Sequence, residues 1–273
     1  MIASDIIRKF AGLVARDEEE VSLIDAALLI AQTEYPNLDV NTQLERVKSL
    51  AQQLRVDPGY SALTNIEAMN DLLFTREGFS GNDQDYDDPR NSFLNDVLDR
   101  RIGIPITLSV IYMELGRRHQ LPIQGVGLPG HFIVKYSGPE EDILIDPYHQ
   151  GAILNRGDCA KLLKAHFDDA ELLPEYLDSS TKKQILTRML NNLKGSFFRR
   201  KHYERVLTMI EMAMAVDPAS RHHIHDRGVI YFLLRQYARA AADLNAYLTY
   251  AAPDDPGIQS ARSVLHHIRS LMN

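Results

Sequence analysis

The sequence predicts an α+β domain followed by an all-helical segment, and three observations point to this fold class. Apolar residues recur at helical spacing up to Leu115, short strand-like segments follow, and only helical patterns remain from Thr181 onward. Because the helices precede the strands and do not alternate with them, an antiparallel sheet is expected. We therefore predict two domains, at residues 1–180 and 181–273.

Three N-terminal helices are predicted from apolar residues at helical spacing. The first covers Val21–Ile30 and follows the acidic stretch Asp17–Glu20, whose charges favour the positive end of a helix dipole. The segments Leu44–Leu54 and Thr64–Phe74 repeat the apolar pattern. The residues of Gly78–Pro89 are rich in Gly, Asn and Asp, so they predict a polar loop.

Two further helices precede the predicted strands. A short one has Asn91 or Ser92 as its N-cap and an apolar stripe that ends at Leu98. The next begins at Pro105, a residue that suits the first turn of a helix, and continues to Leu115. Its apolar residues lie on several sides, so we expect a central, buried helix.

Three short strands are predicted after the central helix, at Pro122–Leu128, His131–Tyr136 and Asp142–Asp146. A Pro-Gly turn separates the first two, and a Ser-Gly-Pro-Glu turn separates the last two. If the last two strands form a hairpin centred between Gly138 and Pro139, the numbers of paired residues add up to 277.

A repeat of 34 residues occurs in the C-terminal segment. The following residues of the first unit recur in the second: Phe198 as Phe232, Tyr203 as Tyr237 and Arg205 as Arg239. This period, with the small residue Gly228, is typical of tetratricopeptide repeats, although Lys194 stands where the first unit would have glycine. Two units and a trailing helix over Ile258–Met272 bury little apolar surface alone, so we expect them to pack on the N-terminal domain.

Charge is divided unevenly between the two predicted domains. Residues 1–180 carry 16 Lys and Arg against 30 Asp and Glu, a balance of −14, whereas residues 181–273 carry 14 against 7, a balance of +7. Either the two parts attract each other across an internal interface, or the basic part binds an acidic partner. Nucleic acid is not expected, because the isoelectric point is near 5.8 and no platform of interleaved arginine and aromatic residues is present.

Composition excludes several classes of protein. A single cysteine, Cys159, excludes a disulfide framework and a cysteine-rich zinc site. No apolar run approaches the roughly 20 residues that a membrane-spanning helix needs, and charged residues interrupt the N-terminus, so no signal peptide is predicted. These features predict a cytoplasmic protein. The sequence does not predict an oligomeric state.

The clearest candidate for a functional site is the pair His131 and Asp146. Their numbers add up to 277, so in the predicted hairpin they face each other with Cβ atoms about 4.5–5.5 Å apart. An aspartate in this position orients an imidazole that acts as a general base. The alternative is a histidine at the end of a strand beside an unrelated Asp-Pro turn.

A nucleophile for this pair is harder to find. The dipole at the start of the central helix would activate a thiol, but the residues there include no cysteine; Thr107 and Ser109 offer the nearby hydroxyls. Cys159 belongs to a separate helix and is expected to be a buried small residue. A second cluster, formed by His222, His223 and His225, suggests a metal site, but it is better explained as a solvated repeat loop. No metal or cofactor is therefore predicted.

The segment Asn91–Pro147 resembles a known family. Its motifs are Asn-Ser-Phe-Leu at 91–94, Arg-Ile-Gly-Ile-Pro-Ile-Thr-Leu-Ser at 101–109, Gly-Val-Gly-Leu-Pro-Gly-His-Phe at 125–132 and Leu-Ile-Asp-Pro at 144–147. This string is similar to that of the bacterial SirB-type proteins, a transglutaminase-like domain followed by tetratricopeptide repeats. The resemblance implies a papain-like/transglutaminase-like core, with His131 as base and Asp146 as its orienting residue. It also implies that the nucleophilic cysteine of active relatives is replaced by Pro105.

Two functions follow as hypotheses. The first is a non-catalytic or cryptic transglutaminase-like protein that acts as a protein or peptide interaction module through its core and its repeats. The second is a hydrolase or acyl-transfer enzyme that uses Thr107 or Ser109 with the His131–Asp146 dyad. The missing cysteine favours the first.

Overall fold

The computed structural model describes residues 2–138 and 142–272. Its N-terminal part contains seven α-helices: α1 Ile2–Val14, α2 Leu23–Gln32, α3 Val40–Gln53, α4 Ala62–Asn70, α5 Leu94–Arg100, α6 Pro105–Arg118 and α7 Arg156–Lys164. The strands are β1 Ser80–Gly81, β2 Ile102–Gly103, β3 Ile123–Val126, β4 Ile133–Ser137, β5 Asp142–Asp146 and β6 Ala152–Leu154. The C-terminal helices are α8 Lys182–Arg199, α9 Tyr203–Val216, α10 Arg221–Leu233, α11 Tyr237–Tyr250 and α12 Gly257–Met272. The predicted α+β class with a following helical segment is confirmed.

Strands β3 to β6 form an antiparallel sheet in sequential order, and β1 pairs with β2 in a separate parallel ladder. In the β4–β5 hairpin Val134 pairs with Ile145 and Ser137 with Asp142, so paired numbers add up to 279 and the predicted 277 is wrong. The hairpin loop is centred one residue later than predicted; its predicted centre at Pro139 lies outside the described residues. Each residue's partner therefore differs by two positions from the predicted one. Because side chains alternate with a period of two, this difference leaves each strand residue on its predicted face.

Helix α6 is the centre of the fold, as its sequence predicted. Every residue from Pro105 to Gly116 is buried, and the helix packs against α2, α3, β3 and β4. Proline at its first position costs no hydrogen bond, because the first-turn N–H groups have no partner within the helix. The start of α6 therefore lies inside the protein, close to the β1–β2 ladder.

The C-terminal helices form two hairpins that obey the 34-residue repeat. The ring pairs Phe198–Tyr203 and Phe232–Tyr237 each have centroids 6.0 Å apart. The connecting turns also match, since Lys201 and Arg235 both adopt the left-handed conformation with φ of 60°. The repeat seen in the sequence is therefore a repeat of backbone and of side-chain packing.

The first of these hairpins packs on the N-terminal part, and oppositely charged residues meet there. Arg205 on α9 donates two hydrogen bonds to the carboxylate of Glu34, at 2.7 and 2.6 Å. Arg199 on α8 pairs with Asp87, and the ring of Phe197 lies 6.2 Å from that of Phe93. Ion pairs at this internal interface thus neutralise part of the opposite charges of the two parts. Among the helices of the described ranges, none is long and apolar enough to cross a membrane.

Candidate functional site

The candidate site is organised around the carboxylate of Asp146, the last residue of β5. Pro147 follows it, and residues Pro147–His149 form one 3-10 turn that Asp146 caps. Its Oδ1 accepts hydrogen bonds from the backbone N–H groups of Tyr148, at 3.0 Å, and His149, at 3.4 Å. The cap leaves Oδ2 directed towards side chains. Asp146 is fully buried.

His131 reaches this carboxylate from the neighbouring loop. Its Nε2 lies 2.8 Å from Oδ2 of Asp146, and only 6% of the residue is exposed. The turn before it requires Gly130, which has a φ of +79°. A Cβ atom added at this position would lie 2.5 Å from the ring of His166. The carbonyl oxygen of His131 accepts a hydrogen bond of 2.6 Å from Arg188 on α8. The structure thus brings together the two residues singled out in the sequence; their function stays a prediction.

A third side chain, His149, joins the pair and was missed in the sequence. Its Nδ1 lies 2.7 Å from the same Oδ2 of Asp146, and its side chain is 55% exposed. The two imidazole rings lie 5.8 Å apart at an interplanar angle of 29°, and Tyr148 packs edge-on against both. An Asp-Pro-x-His sequence could have signalled this contact, since an aspartate that caps a turn faces the residue three positions later.

The electrostatics of the site favour an ionised Asp146. Burial raises the pKa of its carboxyl group, but the hydrogen bonds and charges of His131 and His149 outweigh burial and hold that pKa below its usual value. Tyr148 donates a hydrogen bond of 2.8 Å from its hydroxyl to Asp83. Burial, followed by this hydrogen bond, raises the pKa of the phenol, so Tyr148 stays neutral. The site therefore contains a negative charge shared by two imidazoles.

The hydroxyls proposed as nucleophiles lie elsewhere in the fold. Thr107 is fully buried, and its Oγ1 shares its one proton between the carbonyl oxygens of Asn91, at 2.7 Å, and Ile104, at 3.0 Å, while it accepts from the N–H of Ile104. This hydroxyl is part of the cap of α6. The Oγ of Ser109 is also fully buried and has no hydrogen-bond partner among the described residues. Neither hydroxyl, in the described part of the chain, hydrogen-bonds to His131.

The single thiol has the wrong environment for a nucleophile. Cys159 lies on α7, fully buried in a small apolar cluster with Val126, Leu128, Ile133 and Leu144. Burial, followed by the charges of Asp158 and Asp146, raises its pKa to about 11. A reactive cysteine requires the opposite shift.

The structure also shows where the histidine clusters of the chain lie. His222, His223 and His225 lie on the first turns of α10; His222 is exposed, and the ring of His225 packs 5.0 Å from that of Tyr247. Within residues 2–138 and 142–272, the one group of three side chains with the spacing of metal ligands is His131, Asp146 and His149. Their ligand atoms all lie within 4.8 Å of one another.

Comparisons with known proteins agree with this architecture. Residues 39–191 match the family model of the transglutaminase-like superfamily, and residues 193–266 match that of the tetratricopeptide repeat. The junction between the two matches falls inside α8, so the predicted division at residue 180 stays a prediction.

Relatives that align over nearly the whole chain come from bacteria. A UPF0162 protein of Xylella fastidiosa is 32% identical, with 100% of this chain and 98% of the relative covered. A UPF0162 protein of Vibrio cholerae is 28% identical, with coverage of 91% and 93%. Protein SirB1 of Salmonella typhimurium is also 28% identical, with coverage of 90% and 92%. The chain therefore belongs to the transglutaminase-like superfamily, as a UPF0162/SirB1-type member that combines this domain with tetratricopeptide repeats.

Proposed function

We propose that this protein is a non-catalytic transglutaminase-like protein that acts as a protein or peptide interaction module. The observation that carries the proposal is Pro105, which occupies the first position of α6, where the superfamily's nucleophilic cysteine is expected. Proline has no side-chain group that attacks an acyl carbon. The dyad of His131 and Asp146 therefore has a base and an orienting acid but no group to activate.

The two hydroxyl candidates support this reading. A nucleophile must meet both its base and its substrate, but Thr107 is committed to three hydrogen bonds in the helix cap and Ser109 is fully buried in the core. Exposing either hydroxyl would require α6 to leave its place at the centre of the fold. The enzyme alternative, a hydrolase or acyl transferase that uses Thr107 or Ser109, is therefore the less favoured function.

The interaction surface that we propose is a groove in the repeat segment, between α8, α9, α10 and α12. It has a volume of about 360 Å³, and its apolar lining includes Phe198, Val206, Ile210, Val229 and Ile230. Tetratricopeptide repeats commonly mediate protein interactions. A groove with an apolar floor accommodates the side chains of a peptide segment.

Charge complementarity indicates which peptide the groove would prefer. Lys194 and Arg199 line it; each already pairs with one carboxylate, Lys194 with Asp226 and Arg199 with Asp87, so the preference depends on the balance of +7 that the segment 181–273 carries. We therefore assign as its partner a peptide with an apolar anchor residue flanked by acidic residues. We place this interaction in the cytoplasm, a location that the free thiol of Cys159 supports.

A peptide array tests the binding half of the proposal. Peptides with one Leu or Phe flanked by Glu, and the same peptides flanked by Lys, are exposed to the full-length protein and to its Phe198→Glu variant. Phe198 is 47% exposed, so the substitution removes its ring contact with Tyr203 but changes no buried core residue. The matched control is Phe167→Glu, since Phe167 is 50% exposed but lies outside the groove.

We expect the wild type and the Phe167→Glu variant to retain the Glu-flanked peptides, and Phe198→Glu to lose them. No preference for Glu-flanked over Lys-flanked peptides, or equal retention by all three proteins, would overturn the assignment of the groove.

The proposal that the protein is non-catalytic is tested separately, with an electrophilic probe for serine, threonine and cysteine. Labelling of Thr107 or Ser109 that disappears in His131→Ala would make the protein an enzyme.

A further inference from the structure

We propose that His131, Asp146 and His149 together bind a divalent transition-metal ion of the zinc type. The three side chains offer two imidazole nitrogens and one carboxylate oxygen, a ligand set that suits zinc and its close neighbours. Only the first two belong to the dyad of the superfamily; the third ligand, His149, is supplied by the turn after β5. The site is independent of the groove and of the proposed peptide.

The distances place the ligand atoms close to those of a bound ion. Oδ2 of Asp146 lies 2.8 Å from Nε2 of His131 and 2.7 Å from Nδ1 of His149, and all three atoms lie within 4.8 Å of one another. Around a tetrahedral zinc ion, with bonds of about 2.0–2.1 Å, neighbouring ligand atoms are about 3.3 Å apart. Each nitrogen would therefore have to move away from the oxygen by about 0.5 Å, and the two nitrogens, which lie within 4.8 Å of each other, would have to reach the same spacing of about 3.3 Å.

Two of the ligands are already held in place by other contacts. The backbone N–H groups of Tyr148 and His149 hold Oδ1 of Asp146, which leaves Oδ2 directed at the two imidazoles that would share the ion with it. The tight turn at Gly130 and the bond from Arg188 fix the backbone of His131. Hydrogen bonds of this kind, one step away from the ion, orient the ligands of known metal sites. The side chains of Asp146 and His131 therefore need little further ordering when an ion binds.

His149 gives the site both access and adaptability. Its side chain is 55% exposed, whereas that of His131 is 7% exposed and that of Asp146 is fully buried. An ion can enter from the side of His149, and the ring can tilt outward to reach coordination distance. Because three protein ligands leave one tetrahedral position open on the solvent side, a water molecule would complete the coordination.

The local charges on balance favour a cation. The carboxylate of Asp146 is fully buried next to two imidazoles, and a second carboxylate, that of Asp83, lies beyond Tyr148. The guanidinium of Arg188 lies against the carbonyl oxygen of His131 and opposes the cation. One buried carboxylate in direct contact outweighs this single charge, which contacts the backbone and not a ligand atom.

Cobalt titration of the full-length protein tests the site. After chelator treatment, CoCl₂ is added and the visible absorption of tetrahedral Co²⁺ is followed, with ZnCl₂ used for competition and for calorimetry. The chain contains ten histidines, so a control for weak surface binding is needed. The variant His149→Ala removes an exposed ligand, and His222→Ala removes an exposed histidine outside the site.

We expect one Co²⁺ per chain with tetrahedral absorption that Zn²⁺ displaces. The affinity should fall at least tenfold in His149→Ala, because loss of even a group that only supports a ligand typically costs about 10–100-fold, and should be unchanged in His222→Ala. Asp146→Asn, checked for folding by circular dichroism, should abolish the absorption. Absence of stoichiometric binding to the wild type, or equal affinity in wild type and His149→Ala, would overturn the proposal and leave a hydrogen-bonded cluster only.

Discussion

Replacing Asp146 should destabilise the protein by an amount that follows from its four hydrogen bonds. The carboxylate accepts from the side chains of His131 and His149 and from the backbone N–H groups of Tyr148 and His149. In Asp146→Ala two buried donors, Nε2 of His131 and the N–H of Tyr148, lose their acceptor. A buried donor without a partner costs about 1–3 kcal/mol, so the free energy of unfolding should fall by about 4 kcal/mol.

The variant Asp146→Asn separates the hydrogen bonds from backbone N–H groups from those to the imidazole side chains. The amide oxygen can still accept from the backbone N–H groups, whereas the amide nitrogen replaces the oxygen that faces His131. An imidazole can change its tautomer and accept from this nitrogen, so mainly the contribution of the charge is lost. We expect a loss of about 1–2 kcal/mol.

Both variants are measured by urea unfolding in the presence of EDTA, so that bound metal makes no contribution to stability. Asp39→Ala is the matched control, because Asp39 also accepts from two backbone N–H groups, but at the exposed start of α3; its loss should cost about 1 kcal/mol. The unfolding midpoint should shift at constant slope. If Asp146→Ala costs no more than Asp39→Ala, or no more than Asp146→Asn, the carboxylate does not hold the site together.

Three further predictions concern the rest of the fold. Phe197→Ala, at the interface of the two parts, should cost about 3–5 kcal/mol in a single unfolding transition; two separate transitions would contradict a shared core. Gly81→Ala should cost about 1–3 kcal/mol, because the added Cβ would lie 2.5 Å from the ring of Tyr148. The control Gly12→Ala, with no atom within 4 Å, should not destabilise; equal effects would refute the contact. The thiol of Cys159, with a pKa of about 11, should resist alkylation at pH 8, where about one thiol in a thousand is ionised; rapid alkylation of the folded protein would refute its burial.

The sequence predicted the fold class because its signals are local. Helical apolar spacing, the first-turn proline of α6 and the 34-residue repeat each depend on residues close together in the chain, and all three reappear in the structure. Strand β6 was missed because it has only three residues, Ala152–Leu154, too few to show alternation. The hairpin register was wrong by two because the Ser-Gly-Pro-Glu turn signals a loop without fixing which of its residues lies at the centre.

The site was predicted in part for a similar reason. His131 and Asp146 could be paired because both stand at the ends of neighbouring strands, although His131 lies in the loop two residues before β4 and does not face Asp146 within the ladder. His149 was not predicted as part of the site, because its contact with Asp146 depends on the cap that Asp146 makes with the following turn. The burial of the pair and of both hydroxyls depends on packing by distant elements such as α8, which the sequence pattern does not reveal.

We propose that this transglutaminase-like site lacks a nucleophile and no other member of its catalytic triad. This proposal is tested most directly by Pro105→Cys, which places a thiol at the first position of α6, where the helix dipole lowers a thiol's pKa. Labelling by a cysteine-directed electrophile at pH 6.5, located by mass spectrometry, is compared in wild type, Pro105→Cys and Pro105→Cys/His131→Ala. We expect no labelled residue in the wild type, labelling of the new cysteine by an electrophile small enough to reach the buried start of α6, and slower labelling when His131 is removed. Labelling of the wild type in this site, or a new cysteine whose labelling rate ignores His131, would contradict it.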